Sequence, residues 1–258
     1  MRQSNGYILF FTVILTICVG GILAGASIVL GPAQKKSVEL DTKTQILGAV
    51  NNLVHLGEGA DILQIYSDRI TSLVVNFEGD QVTVDDKGKP IVAEEVDIQK
   101  NFKLPVEERL YPVFRLMNSE DTTQVEAYIL PVYGNGLWDR IWGYVALDPR
   151  FETIVGTSFD HKAETPGLGQ RIATAEIQNR YIGKKVYDES GNFVSVEIMK
   201  GEHGGGQASI DFYGTDPHKV DGMSGATLTG NGLNRMLKVY LGAYQNYFSS
   251  VRSSNEPI

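Results

Sequence analysis

Asp221-Gly222-Met223-Ser224-Gly225-Ala226-Thr227 runs into Leu228-Thr229-Gly230-Asn231-Gly232 and then into a segment with Leu233, Met236, Leu237, Tyr240, Leu241, Tyr244, Phe248 and Val251. Steps of three and four along that series put its apolar residues on one helical face, so the spacing predicts an amphipathic C-terminal helix. Thr227, Thr229 and Asn231 all suit the N-cap of that helix, which places the small residues in the loop delivering the chain to it. A helix start offers unpaired amide N–H groups and partial positive charge, and both favour a phosphate. Gly225 and Ala226 add little bulk, leaving the backbone and the Thr227 hydroxyl open to close approach by another molecule. A glycine-containing turn capped by threonine would carry the same residues, so the rest of the chain has to decide between the two readings.

The chain has 258 residues, 42% hydrophobic and 21% charged, a foldable composition too long for a minimal domain and short for two large ones. Its net charge of −8 and the absence of a basic stripe argue against nucleic acid as a partner. Cys18 is the only cysteine, so the soluble part has no internal disulfide, thiol nucleophile or thiolate metal site. The histidines at 55, 161, 203 and 218 lack paired metal-ligand spacing, and no metal site is expected.

Tyr7 to Leu30 carries no charged residue. At ~1.5 Å per residue it is long enough to cross a hydrocarbon core of ~30 Å. Ala24-Gly25-Ala26 resembles a signal cleavage site, but the apolar run exceeds a signal core of about 7–15 residues, which favours a retained anchor. Gly21 and Gly25 have the spacing that lets membrane helices approach closely, a weak signal since glycine is common there. Gly31-Pro32 is expected to end the anchor.

Val38 to Leu56 reads as a helix, Asp61 as a cap for a shorter one, and Leu73 to Phe77 as a strand with Val82 to Val84 pairing back across a turn. Asp85 to Val106 reads as loop and irregular structure. Val125 to Val132 and Gly143 to Leu147 read as strands flanking the turn Tyr133-Gly134-Asn135-Gly136. Lys184 to Val186 and Phe193 to Met199 suggest a further strand pair, and Glu202 to Gln207 a flexible loop. Glu164-Thr165-Pro166-Gly167-Leu168-Gly169 predicts a rigid loop, because Pro166 fixes one φ and the glycines reach values other residues avoid. Such a loop presents amides and the Thr165 hydroxyl to a polar ring edge, with Glu164 orienting it through backbone hydrogen bonds; a plain helix entry continuing through Ile172 and Glu176 uses the same residues. Trp138 is equally suited to covering an aromatic ligand by stacking or to the core.

The Asp-Gly-Met-Ser-Gly-Ala-Thr stretch resembles the flavinylation motif of the FMN-binding domain family, and Glu164 to Gly169 is similar to its second hallmark, in the family's order. The resemblance implies that Thr227 is esterified to the phosphate of FMN by a separate Mg²⁺-dependent flavin transferase using FAD. It implies that Ser224, Gly225, Ala226, Asp221, Glu164, Thr165, Gly167, Leu168 and Trp138 bind the flavin, with no catalytic residue of the chain's own. Nothing beside Thr227 would activate a poorly nucleophilic alcohol, which suits an acceptor modified by another enzyme. Within the family, the anchor, the length and a Tyr-Gly-x-Gly-Leu-Trp element at Tyr133 to Trp138 resemble the C subunits of Na⁺-translocating NADH:quinone oxidoreductases. The G subunits of Rnf ferredoxin:NAD⁺ complexes share both motifs.

The implied fold is α+β: a transmembrane helix, then a soluble mixed α/β FMN-binding domain ending in an amphipathic helix. The expected division is a tail at 1–6, the span at 7–30, an N-terminal soluble part at 31–109 and the FMN-binding domain at 110–258. The expected role is a redox subunit, inactive alone, that relays electrons among other membrane subunits of a bacterial inner-membrane complex. Its soluble part is expected on the outer, periplasmic face, although Lys35, Lys36 and Lys43 after the span outnumber Arg2 before it. Two rivals come from other classes. One is a hydrolase using Ser224 with His203 or His218 as base and Asp211 or Asp216 as orienter, though the Gly-x-Ser-x-Gly elbow lacks its last glycine and no strand precedes it. The other is an anchored binding module without a cofactor.

Overall fold

The computed structural model describes residues 4–57 and 59–253. Residues 1–3 of the expected tail, Arg2 among them, and residues 254–258 at the end of the chain lie outside that range. The described chain divides between Thr42 and Lys43 into two compact units.

The first unit is formed by α1 (Asn5–Gly48), which also runs six residues into the second. Its apolar stretch is exposed throughout and is long and apolar enough to span a membrane. The hydroxyls of Thr12 and Thr16 donate to the carbonyls of Ile8 and Thr12, so the span's own backbone satisfies them. The predicted stop at Gly31-Pro32 does not occur, since α1 continues through Pro32. Proline removes one rung of the ladder, to Ile28, and the helix on either side carries the gap.

The second unit is built on an antiparallel sheet in chain order: β1 (Ile70–Val75), β2 (Tyr111–Met117), β3 (Val125–Asn135), β4 (Arg140–Leu147) and β5 (Ile154–His161). One face buries Ile46, Leu47 and Val50 against Val74, Phe114, Ile129 and Ala146. The expected helix over Val38 to Leu56 breaks there into the end of α1 and α2 (Asn51–Val54). Its Ala49 carbonyl lies 2.2 Å from where a Cβ on Gly156 of β5 would be, so the chain turns directly onto the sheet. α3 (Ile62–Arg69) begins as expected at Asp61, whose carboxylate accepts from the Gln64 amide. Most of 85–106 is irregular as read, with one turn of α4 (Ile98–Asn101).

Two prolines shape the middle of the sheet. The β2–β3 register pairs Phe114 with Ile129, and its continuation would oppose Pro112 with Pro131. Neither has an N–H to donate, and the ladder stops there. The Pro112 carbonyl accepts instead from the buried Tyr244 hydroxyl.

Short elements follow: α5 (Ala175–Gln178), β6 (Glu197–Ile198), α6 (Gly206–Phe212) and β7 (Lys219–Val220). The strand pair expected around Gly191 is reduced to a bridge between Tyr187 and Phe193, while β6 pairs in parallel with β7. The loop expected over Glu202 to Gln207 is present through Gly205, where α6 then begins, and β7 is a short strand before the 221–227 stretch, where none was read.

The predicted C-terminal helix forms as α7 (Thr227–Ala243) and α8 (Gln245–Ser253). Leu233, Met236, Leu237, Tyr240 and Leu241 are buried against the second sheet face, as their spacing requires. The cap differs from expectation: Ala226 occupies it without a side-chain bond, and Thr227 is the first helical residue.

Candidate functional site

Glu164 ties three separate parts of the chain together. Its carboxylate, in a residue only 5% exposed, accepts from the amides of Leu137 and Trp138 and from the Thr229 hydroxyl in the first turn of α7, at 2.9, 3.0 and 2.6 Å. Thr229 is therefore drawn to Glu164 and does not cap the helix. The carboxylate fits because Gly136 and Gly169 lack side chains: a Cβ on either would come within 2.3 or 2.5 Å of its oxygens. Glu164 is expected to orient its own 164–169 loop, but the backbone amides its carboxylate holds are those of Leu137 and Trp138.

The other hallmark residues gather around this tie. The Trp138 indole N–H donates to the Thr165 hydroxyl at 3.0 Å, and the residue is 69% exposed. Gly167 takes φ +74°, and the exposed Leu168 reaches over Gly225, itself at φ +74°, where a Cβ would stand 2.8 Å from the leucine Cδ2. Ser224 and Gly225 are exposed, Ala226 is buried and Thr227 is half-buried. Leu137, Trp138, Leu168 and Leu228 thus leave apolar surface wet on the segments that Glu164 and Gly225 draw together.

Asp221 is fully buried and turned to His203, accepting from its amide at 2.8 Å and lying 2.7 Å from its Nδ1. Burial works against the charged carboxylate, but bonds from the His203 amide and ring, the Ser209 hydroxyl and the Gly222 amide prevail and hold its pKa low. The His203 ring stacks on Phe212 at 3.7 Å. His218 contacts the Lys185 carbonyl, and Asp216 holds Lys219. Among the described residues, the Ser–His–Asp relay expected of a hydrolase is not assembled from Ser224, either histidine, Asp211 or Asp216.

The sequence reading missed the charges that hold the loop. Arg180, 1% exposed, donates through Nη1 to the carbonyls of Asp221 and Gly222, and through Nη2 to Glu176 and Glu202. Glu202 binds Arg171 as well, and its Oε2 accepts from the Ser224 amide at 3.1 Å. Gly222 lies so close to the segment following β6 that a Cβ would come within 2.0 Å of the Met199 carbonyl. The i,i+4 pair Glu176 and Arg180 was visible in the sequence, but nothing there showed that it turns inward.

Hydrogen bonds from Arg171 chiefly, and from Arg180, outweigh burial and draw the Glu202 pKa from 4.5 to about 2. Its contribution to stability is therefore complete above pH 4.5 and is lost as the pH falls toward about 2. Acid unfolding followed by near-ultraviolet circular dichroism is expected to shift to higher pH in Glu202→Gln relative to the natural chain. Superimposable acid transitions would show that the pair carries no such linkage.

Residues 136–242, which hold every loop just described, match the FMN-binding domain family. The chain is 32% identical to the C subunit of the Na(+)-translocating NADH-quinone reductase of Haemophilus ducreyi, across 93% of this chain and 91% of that protein. The chain belongs to the family of C subunits of Na⁺-translocating NADH-quinone reductases. The C subunit of Yersinia pestis is 29% identical over 93% of this chain and 90% of its own. In this family the crystal structure of the Parabacteroides distasonis C subunit is similar to this fold. It has a TM-score of 0.68 and 31% identity over 85% of this chain and 97% of that one. The expected α+β architecture with its apolar N-terminal helix is therefore correct, and so is the family read from the two motifs.

Proposed function

We propose that this chain is the membrane-anchored flavoprotein subunit of a Na⁺-translocating NADH:quinone oxidoreductase, with FMN esterified to Thr227. The observation that carries the reading is the placement of Thr227. It is half-buried at the first position of a 17-residue helix, next to a loop that Leu168 crosses, and Glu164 ties the first turn of that helix, through Thr229, to the backbone of Trp138. The site fits an FMN: amides at the start of α7 suit its phosphate, and the wet apolar faces of Leu137, Trp138 and Leu168 suit a flat aromatic ring. Bound there, FMN would supply electron transfer. The 164–169 loop and Trp138 would hold the ring edge and shield one side of it from water.

The ester needs a flavin transferase. The Thr227 oxygen bonds to the FMN phosphorus of FAD as the pyrophosphate bond to AMP breaks, and the hydroxyl proton passes to a base on that enzyme. The intact mass of the chain co-expressed with such a transferase is expected to rise by one FMN less one water. An unmodified mass would overturn the reading.

The division at residues 31–109 and 110–258, the other membrane subunits as partners and the periplasmic placement of Lys35 to Ile258 belong to the same proposal. Long segments translocate largely regardless of flanking charge, and Thr227 must meet its transferase outside the cytoplasm. A cysteine placed at Gly205 is expected to react with a membrane-impermeant thiol reagent on the outer face of the intact inner membrane. Reaction only after that membrane is broken would place the domain inside.

A further inference from the structure

Seven residues of a loop, two of them glycines, are a poor target for an enzyme unless something holds their shape. A free segment of this composition would lose backbone entropy on entering an active site, of order ~1–2 kcal/mol per residue. Here the shape is held from outside the loop. Arg180 takes two successive carbonyls, those of Asp221 and Gly222, and Glu202 takes the amide of Ser224. The two clamping side chains are bound to each other at 2.9 Å, and Arg171 and Glu176 complete the cluster. Arg180 is 1% exposed and the Glu202 side chain 12% exposed, so the clamp is part of the interior and is not a surface ion pair. It grips backbone groups alone, which is what setting a loop's conformation requires.

We infer that Glu202, with Arg180 behind it, is a positioning residue for the modification of Thr227: it holds Asp221 to Ser224 in the form the flavin transferase binds. This rests on the reading of Thr227 as the flavin acceptor. When only a fraction of the acceptor is in the binding form, apparent affinity falls by that fraction while the chemistry of the bound form is unchanged. Loosening the clamp therefore raises the KM for the acceptor chain and spares kcat.

The test uses the full chain, produced without transferase, and measures its modification by purified transferase with FAD and Mg²⁺. Glu202→Gln is expected to raise the apparent KM about tenfold with kcat nearly unchanged. Val145→Ala, which opens a cavity in the sheet core far along the chain from the loop, is the control for lost stability and is expected to keep the natural KM. If Glu202→Gln does not fold, Arg171→Met loosens Glu202 while leaving its bonds to Arg180 and Ser224, and is expected to raise KM severalfold. An unchanged KM in the folded clamp variant, or an equal rise in Val145→Ala, would overturn the clamp. A natural chain that takes no flavin would overturn the acceptor reading and the clamp with it.

Discussion

Thr227→Val is expected to abolish covalent flavin completely while leaving the fold in place. The substitution removes only the hydroxyl and keeps the branched shape at the first position of α7. Helix propensities of threonine and valine are close, so the change in stability is expected to stay within about 1 kcal/mol. No other group replaces the lost oxygen: Thr229 is buried and committed to Glu164, and the exposed Ser224 precedes the helix start by three residues. The chain co-expressed with a flavin transferase is expected to show no in-gel fluorescence after denaturation, with a melting temperature near that of the natural chain. Flavin retained by the variant, or found by peptide mass spectrometry on another residue, would refute the assignment.

Arg180→Met is expected to give the largest loss of stability of any single change at the site, ~3–5 kcal/mol, because removing one partner of a buried pair strands the rest. The stranded groups are the carbonyls of Asp221 and Gly222, and the Glu202 carboxylate loses one of its two arginines. Arg171 remains to hold Glu202 and Glu176, which keeps the loss from being larger. Urea unfolding of the full chain in detergent, followed by near-ultraviolet circular dichroism, measures it. A loss below about 1 kcal/mol would show that the loop does not depend on this arginine.

What the sequence made legible were features carried by local pattern. The apolar steps of α7, the uncharged run of α1, the Asp61 cap and the continuous apolar run of β3 ending in the Gly134-Asn135-Gly136 turn each reflect a period, a run or a turn chemistry. The two glycine loops were legible as loops for the same reason. Missed were β2 and β5. β2 is buried at almost every position and starts Tyr111-Pro112, so it shows no alternation, while β5 mixes Gly156, Asp160 and His161 into its run. Also missed was the bridge from Glu164 to Thr229, 65 residues apart, and the clamp from Arg180 to the 221–222 carbonyls, about 41 residues apart. Side chains joined across such distances leave no trace in a local pattern, because their pairing is decided by the packing of the sheet between them.

That same separation sets an order of events during synthesis. Glu164 meets Thr229 only when α7 lies across β3, where Gly232 packs on the Asn135 carbonyl and Met236 on Gly134. These are long loop closures, which form late in folding. A chain still emerging, or one whose C-terminal helix has failed to dock, therefore displays the seven residues without their conformation. With Thr227 as the proposed acceptor, flavin attachment would certify completed folding, since only the finished domain presents that hydroxyl in its proper setting.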